Sequence, residues 1–147
     1  MNTIKGFTLI EVLIAMLVLA VGLLGLASLQ AYSLRNTQSA YNRSLATELA
    51  YDLADRMRAN NKPLGLAVYG SMQPTAALAQ ANCVTVSNFC PPDVMAENDL
   101  YQWNLAVTTA LPPGSSGVIA VVSNVYTITV SWNDGATALS FVTSFRL

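Results

Sequence analysis

Residues 12–29 read VLIAMLVLAVGLLGLASL. No charge occurs between Glu11 and Arg35. As a helix rising 1.5 Å per residue, this run spans roughly 27 Å, about one hydrocarbon core of a bilayer. The rest of a 147-residue chain is too small to surround such a helix as a soluble core. The run therefore predicts a membrane anchor. It is longer than the apolar stretch of a secretory signal peptide. Its far end, Leu29-Gln30-Ala31-Tyr32-Ser33, makes an unpersuasive cleavage site. Orientation is a tie by charge: Lys5 and the first amine flank one side, Arg35 and Arg43 the other.

Composition excludes several function classes. Hydrophobic residues make up 53% and charged residues 10%, well below the usual quarter, so the chain is no solvated disordered segment. Lys plus Arg is 7 against 8 for Asp plus Glu, which leaves no basic excess to hold nucleic acid. Histidine is absent, which removes His-based triads, His metal sites and histidine pH switches. Two cysteines cannot form a four-Cys zinc site but can form one disulfide.

Residues 1–11 read MNTIKGFTLIE. A short polar leader with one Lys ends at Gly6, and Phe7 and the apolar run follow. Thr8 and Glu11 have the capping-box spacing at the start of a helix. An acid in the first helical turn is also favoured by the macrodipole, by roughly 0.3–1 kcal/mol. This stretch resembles the class III signal of type IV prepilins and pseudopilins. The resemblance implies that a prepilin peptidase cuts between Gly6 and Phe7 and methylates the new amine of Phe7. It implies a second role for Glu11, which would meet the amine of a neighbouring subunit and set the axial register of assembly. The two roles of Glu11 are compatible. The apolar run lies after the cut, so the anchor survives processing.

Past the run, no Pro or Gly occurs over residues 26–62. Leu34, Tyr41, Leu45, Leu49, Leu53 and Met57 recur at spacings of four or seven, beside a column of Ala46, Ala50 and Ala54. This predicts one helix over residues 7–60, amphipathic in its second half. Asp52 and Arg56 form an i,i+4 pair on it. Asn60-Asn61-Lys62-Pro63 stops it. Residues 39–61 resemble PilV-type minor pilins more than principal filament subunits. The apolar helix also lacks the Pro that principal pilins commonly carry there.

The remaining residues form a head. Cys83 and Cys90 close an eight-residue loop, worth roughly 2.5 kcal/mol as a disulfide in the chain-entropy model. The spacing is not Cys-x-x-Cys and no basic neighbour activates a thiol, which disfavours a redox pair. Residues 93–111 read as a helix, with Leu100, Trp103, Leu105, Val107 and Leu111 expected inside. Asp99-Leu100-x-x-Trp103 resembles a segment of PilV-like proteins. Residues 118–123 and 126–132 read as strands, the second placing Tyr126, Ile128, Val130 and Trp132 on one face. Asn133-Asp134-Gly135 signals a hairpin, after which Leu139, Phe141, Phe145 and Leu147 share one side. The expected fold class is α+β: a long helix carrying a small antiparallel sheet on its C-terminal half.

No catalytic constellation is visible in the head. From residue 64 on the acids are Asp93, Glu97, Asp99 and Asp134, against Arg146 alone. The acids at 93, 97 and 99 miss the EF-hand spacing. The expected domains are a leader (1–6), a transmembrane helix (7–34), its amphipathic continuation (35–61) and a periplasmic head (62–147). The expected function is that of a minor type IV pilin that primes pilus assembly and joins the pilus or its tip. A minor pseudopilin of a type II secretion system is the alternative. Expected partners are the inner membrane, the prepilin peptidase, other minor pilins and the assembly machinery, with no nucleic acid, cofactor or metal.

Overall fold

A computed structural model describes residues 6–83 and 90–147. The chain divides into two compact units, Met1–Ala40 and Tyr41–Leu147. Helix α1 (Leu9–Ala59) contributes to both. It runs unbroken because Thr8 caps its start, no Pro interrupts it, and its residues are mostly good helix formers.

In the first unit the described side chains are bare. Apart from half-buried Ser39, every described residue through Ala40 is exposed. Leu34, expected on the packed stripe, is 71% exposed. The stripe buries side chains only where the second unit supplies a surface.

In the second unit α1 buries Asn42, Ala46, Leu49, Ala50, Leu53, Ala54 and Met57. The alanine column lets neighbouring elements approach closely, and the larger side chains beside it fill the space. Tyr41 stays exposed. A second helix, α2 (Pro63–Ser71), begins almost at once, with Pro63 at a position where its missing N–H costs nothing. The sequence reading ended one helix at that proline and did not foresee another. Two short 3-10 turns follow, at Pro74–Ala76 and Ala81–Cys83. The Cys83–Cys90 disulfide is formed, with Cα atoms 5.1 Å apart.

Helix α3 (Pro92–Ala110) buries Leu100, Trp103 and Val107, with Leu111 just past its end. Leu105 is 49% exposed, against expectation. Two residues past Trp103 means a rotation of about 200° around the helix, which turns Leu105 away from the core.

The sheet is antiparallel in the order β1 (Ser116–Val122), β2 (Val125–Asp134), β3 (Thr137–Arg146). The inward face of β2 is the predicted one: Tyr126, Ile128, Val130 and Trp132 are all buried. Ser123 and Asn124, both at positive φ (51° and 61°), make the first two-residue loop, the geometry of a type I′ turn. The second loop is Gly135-Ala136, so Asn133 and Asp134 belong to β2 rather than to the turn.

Trp103 ties the layers together. Its indole Nε1 donates to the Leu49 carbonyl of α1 at 2.7 Å. Its ring lies against Gly117 of β1, where a Cβ would collide with it. One buried side chain thus joins α1, α3 and the sheet.

The same substitution at two glycines should act with opposite signs. Gly117→Ala should destabilise the chain by about 1–3 kcal/mol through overpacking against Trp103. Gly70→Ala, on α2 with only Val121 Cγ2 at 3.8 Å, should stabilise by roughly 0.5–1 kcal/mol. Urea unfolding of the full chain in detergent reads both.

Candidate functional site

The start of α1 is the first candidate site. Thr8 N–H and Thr8 Oγ1 both donate to Glu11 Oε2, each at 2.9 Å. Glu11 N–H donates back to Thr8 Oγ1 at 3.4 Å and to the Thr8 carbonyl at 3.1 Å. This is the reciprocal cap that the spacing predicted. It holds the Glu11 carboxylate at the first turn, where the helix dipole favours an anion. Phe7 is 89% exposed. Phe7 and Glu11 border a shallow apolar groove of about 380 Å³ floored by Val12, Ala15, Met16 and Leu19. Among the described residues only Oε2 of Glu11 takes a hydrogen bond, so Oε1 retains acceptor capacity for a further donor.

The second candidate lies in the head, where polar groups gather at the end of α1. Arg56 Nε pairs with Asp52 Oδ2 at 2.9 Å, the predicted i,i+4 contact. The same guanidinium reaches across to α3, with Nη1 at 3.4 Å from both Asp99 Oδ1 and Gln102 Oε1. Tyr69 of α2 donates its hydroxyl to Asp99 Oδ2 at 2.5 Å. Asn60 donates from Nδ2 to the Pro92 carbonyl at 2.7 Å and more weakly to Tyr69 Oη at 3.5 Å. Asp99 is buried, and its carboxylate is tolerable there because both oxygens have partners. Burial, and then the Asp99 carboxylate, push the Tyr69 phenol well above its ordinary value. The network closes α1, α2 and α3 onto each other beside a cavity of about 380 Å³ bounded by Arg56, Asn60, Lys62, Cys90, Met95 and Asp99.

This arrangement locks three helices together. Two acids of α3, Glu97 and Asp99, are spent separately, while Asp93 Oδ1 is buried without a hydrogen-bond partner among the described residues. Glu97 accepts from Leu78 N–H at 3.3 Å and from Gln80 Nε2 at 2.7 Å, while Asp99 serves the lock. Among the described residues no group of three His, Cys, Asp or Glu is placed to hold a metal ion. The sequence reading singled out Asp99 and Trp103 as a family segment, and both are structural ties. It missed Tyr69 and took Asn60 only as part of a helix stop. Nothing local marks either tie, because the partners lie 30 and 32 residues away.

The comparisons follow the same division. A family model for the prokaryotic N-terminal methylation motif matches residues 1–27, which include the capped start of α1. A model described as type IV pilin Tt1218 matches residues 28–101, half of the chain. The chain belongs to the Tt1218-like type IV pilins. No curated protein and no solved structure matches its sequence. The α+β architecture, with a long apolar helix and a small antiparallel sheet, is the one expected of a pilin. Membership in this structural family suggests a non-enzymatic role. The pilin's α1 is long and apolar enough to cross a membrane. With the methylation motif, this fits a membrane-anchored protein handled by a prepilin peptidase and the pilus machinery.

The Tyr69 lock has a pH signature. A phenol held neutral by the fold stabilises the pilin fully below its ordinary value near 10 and progressively less above it, as the unfolded chain loses that proton first. Each such proton contributes a slope of up to about 1.4 kcal/mol per pH unit. Urea midpoints measured from pH 9 to 12 should fall less steeply in Tyr69→Phe than in the unaltered pilin.

Proposed function

We propose that this pilin is a minor subunit of the PilV kind that primes assembly of a type IV pilus and joins the pilus or its tip. One observation carries the reading. The first unit presents an apolar helix with every hydrophobic side chain exposed, started by a cap that holds a single carboxylate at its end. Such a surface requires lipid or other apolar helices around it. In this account residues 1–6 are a leader, residues 7–34 span the inner membrane, residues 35–61 continue the helix, and residues 62–147 form a periplasmic head. The peptidase cuts between Gly6 and Phe7 and methylates Phe7. The helix then leaves lipid and packs among pilin helices of the fibre, and the pilin is displayed at the cell surface. Glu11 meets the amine of a neighbouring subunit through its second oxygen and fixes the axial stagger. The head supplies partner specificity for other minor pilins. Neither catalysis nor a cofactor enters the mechanism. The missing proline in the apolar helix supports a minor subunit over a principal one.

Processing is tested on protein from cells with an active peptidase. Mass spectrometry should find residues 1–6 removed and one methyl group on Phe7; an intact N-terminus contradicts the signal. The two roles of Glu11 separate by substitution. Glu11→Gln retains an acceptor for Thr8 but loses the charge, and Glu11→Ala loses both, including about 1 kcal/mol of capping. Both should stay in the membrane and fall at least tenfold in sheared pili. Normal incorporation of Glu11→Gln would reduce Glu11 to a cap. Disrupting the gene and scoring surface pili, secreted enzymes and surface motility together separates a pilus subunit from a type II secretion pseudopilin.

A further inference from the structure

The two edges of the sheet are finished differently. In an antiparallel ladder, facing pairs alternate between exchanging two hydrogen bonds and exchanging none. The two-residue loops set the phase, since the closing pairs Val122↔Val125 and Asp134↔Thr137 are of the bonded kind. Counting from them, Gly117, Ile119 and Val121 of β1 aim their main-chain groups away from β2. On β3 the outward residues are Ala138, Ser140, Val142, Ser144 and Arg146.

The outward side of β1 is partly taken. Gln73 Nε2 donates to the Ile119 carbonyl at 3.4 Å, as the phase requires. β3 pairs with β2 alone. Among the described residues no hydrogen bond from another element reaches its outward main chain. Folded proteins usually blunt such an edge with charge, proline or a bulge. Residues 137–145 contain no Lys, Arg, Asp, Glu or Pro, and the β2–β3 register runs without a break.

A shelf adjoins this edge. Phe141 packs against Tyr51 with ring centroids 6.2 Å apart, and Tyr51 remains 49% exposed. The Arg58 guanidinium sits 5.0 Å over the Phe145 ring and pairs with Asp55 at 2.6 Å. The shelf is aromatic, and its one acid and one base neutralise each other. Along residues 137–145 it offers an incoming strand apolar contact on one side and no charge to match.

We propose that β3 is a docking edge that accepts one extended strand from another protein, in which apolar residues alternate with small uncharged ones. The strand's main chain would bond to Ala138, Ser140, Val142 and Ser144, and its apolar residues would lie beside Phe141, Phe145 and Tyr51. Preferring another protein to a second copy rests on the fibre reading above. A β3–β3 pair is two-fold and closes as a dimer, whereas contacts along a fibre run head to tail.

The test uses the full chain in detergent micelles and a fluorescent synthetic peptide, TALSFVTSF, copied from residues 137–145 as a strand of the required pattern. The peptide should bind saturably. N-methylating one alternate set of its amides should weaken binding at least tenfold, while the other set changes it little. Ser140→Pro, which removes an outward donor and leaves the bonds to β2, should also weaken binding at least tenfold. Peptide methylation leaves the chain untouched, so this arm stands even where Ser140→Pro fails to fold. Absence of saturable binding, or indifference to both methylated sets, overturns the proposal. A stable dimer of the chain that Ser140→Pro dissolves also overturns it, by making the occupant a second copy. Binding by a pilin that is missing from sheared pili would refute the fibre reading and keep the edge. Normal incorporation without binding would do the reverse.

Discussion

An apolar helix cannot stand in water, and the rest of this molecule is organised around that constraint. Residues 12–29 carry no charge, and all are exposed within their own unit. The hydrophobic effect scales with the area left wet, so this surface demands a medium or neighbours. Lipid meets the demand first; packing among like helices meets it again without re-exposure to water. Exchange between two apolar surroundings is nearly balanced, so a small directional term can decide the outcome. In the proposed assembly, the carboxylate at the first turn, held by Thr8, supplies that term.

The head solves a different problem. A domain of roughly 85 residues buries little core for its size and benefits from reinforcement. Here α1 supplies an alanine-lined face, and Trp103 pins α3 and the sheet to it through the Leu49 carbonyl. The Cys83–Cys90 disulfide closes one loop, and the Arg56–Asp99–Tyr69 network holds three helices together at the end of α1. The polar groups of this network are therefore committed to architecture. Among the described residues, the outward edge of β3 stays unbonded beside an aromatic shelf.

Much of this was legible in the sequence, for physical reasons. The apolar run, the Thr8–Glu11 cap and the alternation of β2 are local patterns, and local patterns survive without tertiary knowledge. The cysteine pair was legible too, because a short loop leaves few alternatives. Leu105 and Leu34 were misjudged because apolar character was taken for burial, while burial needs a facing surface. Helix α2 was hidden behind Pro63, which reads as a stop for one helix and serves as the first residue of the next. The ties made by Tyr69 and Asn60 were invisible because they exist only through distant partners. The Asn133-Asp134-Gly135 signal was right about a hairpin, whose loop is Gly135-Ala136.

The central claim is that the same helix surface meets lipid first and pilin helices afterwards. Site-specific photocrosslinking at Leu19, in cells able and unable to assemble pili, tests it most directly. The account predicts crosslinks to lipid alone when assembly is blocked, and additional crosslinks to the apolar helices of other pilins when it proceeds. Crosslinks to lipid alone under both conditions would contradict it.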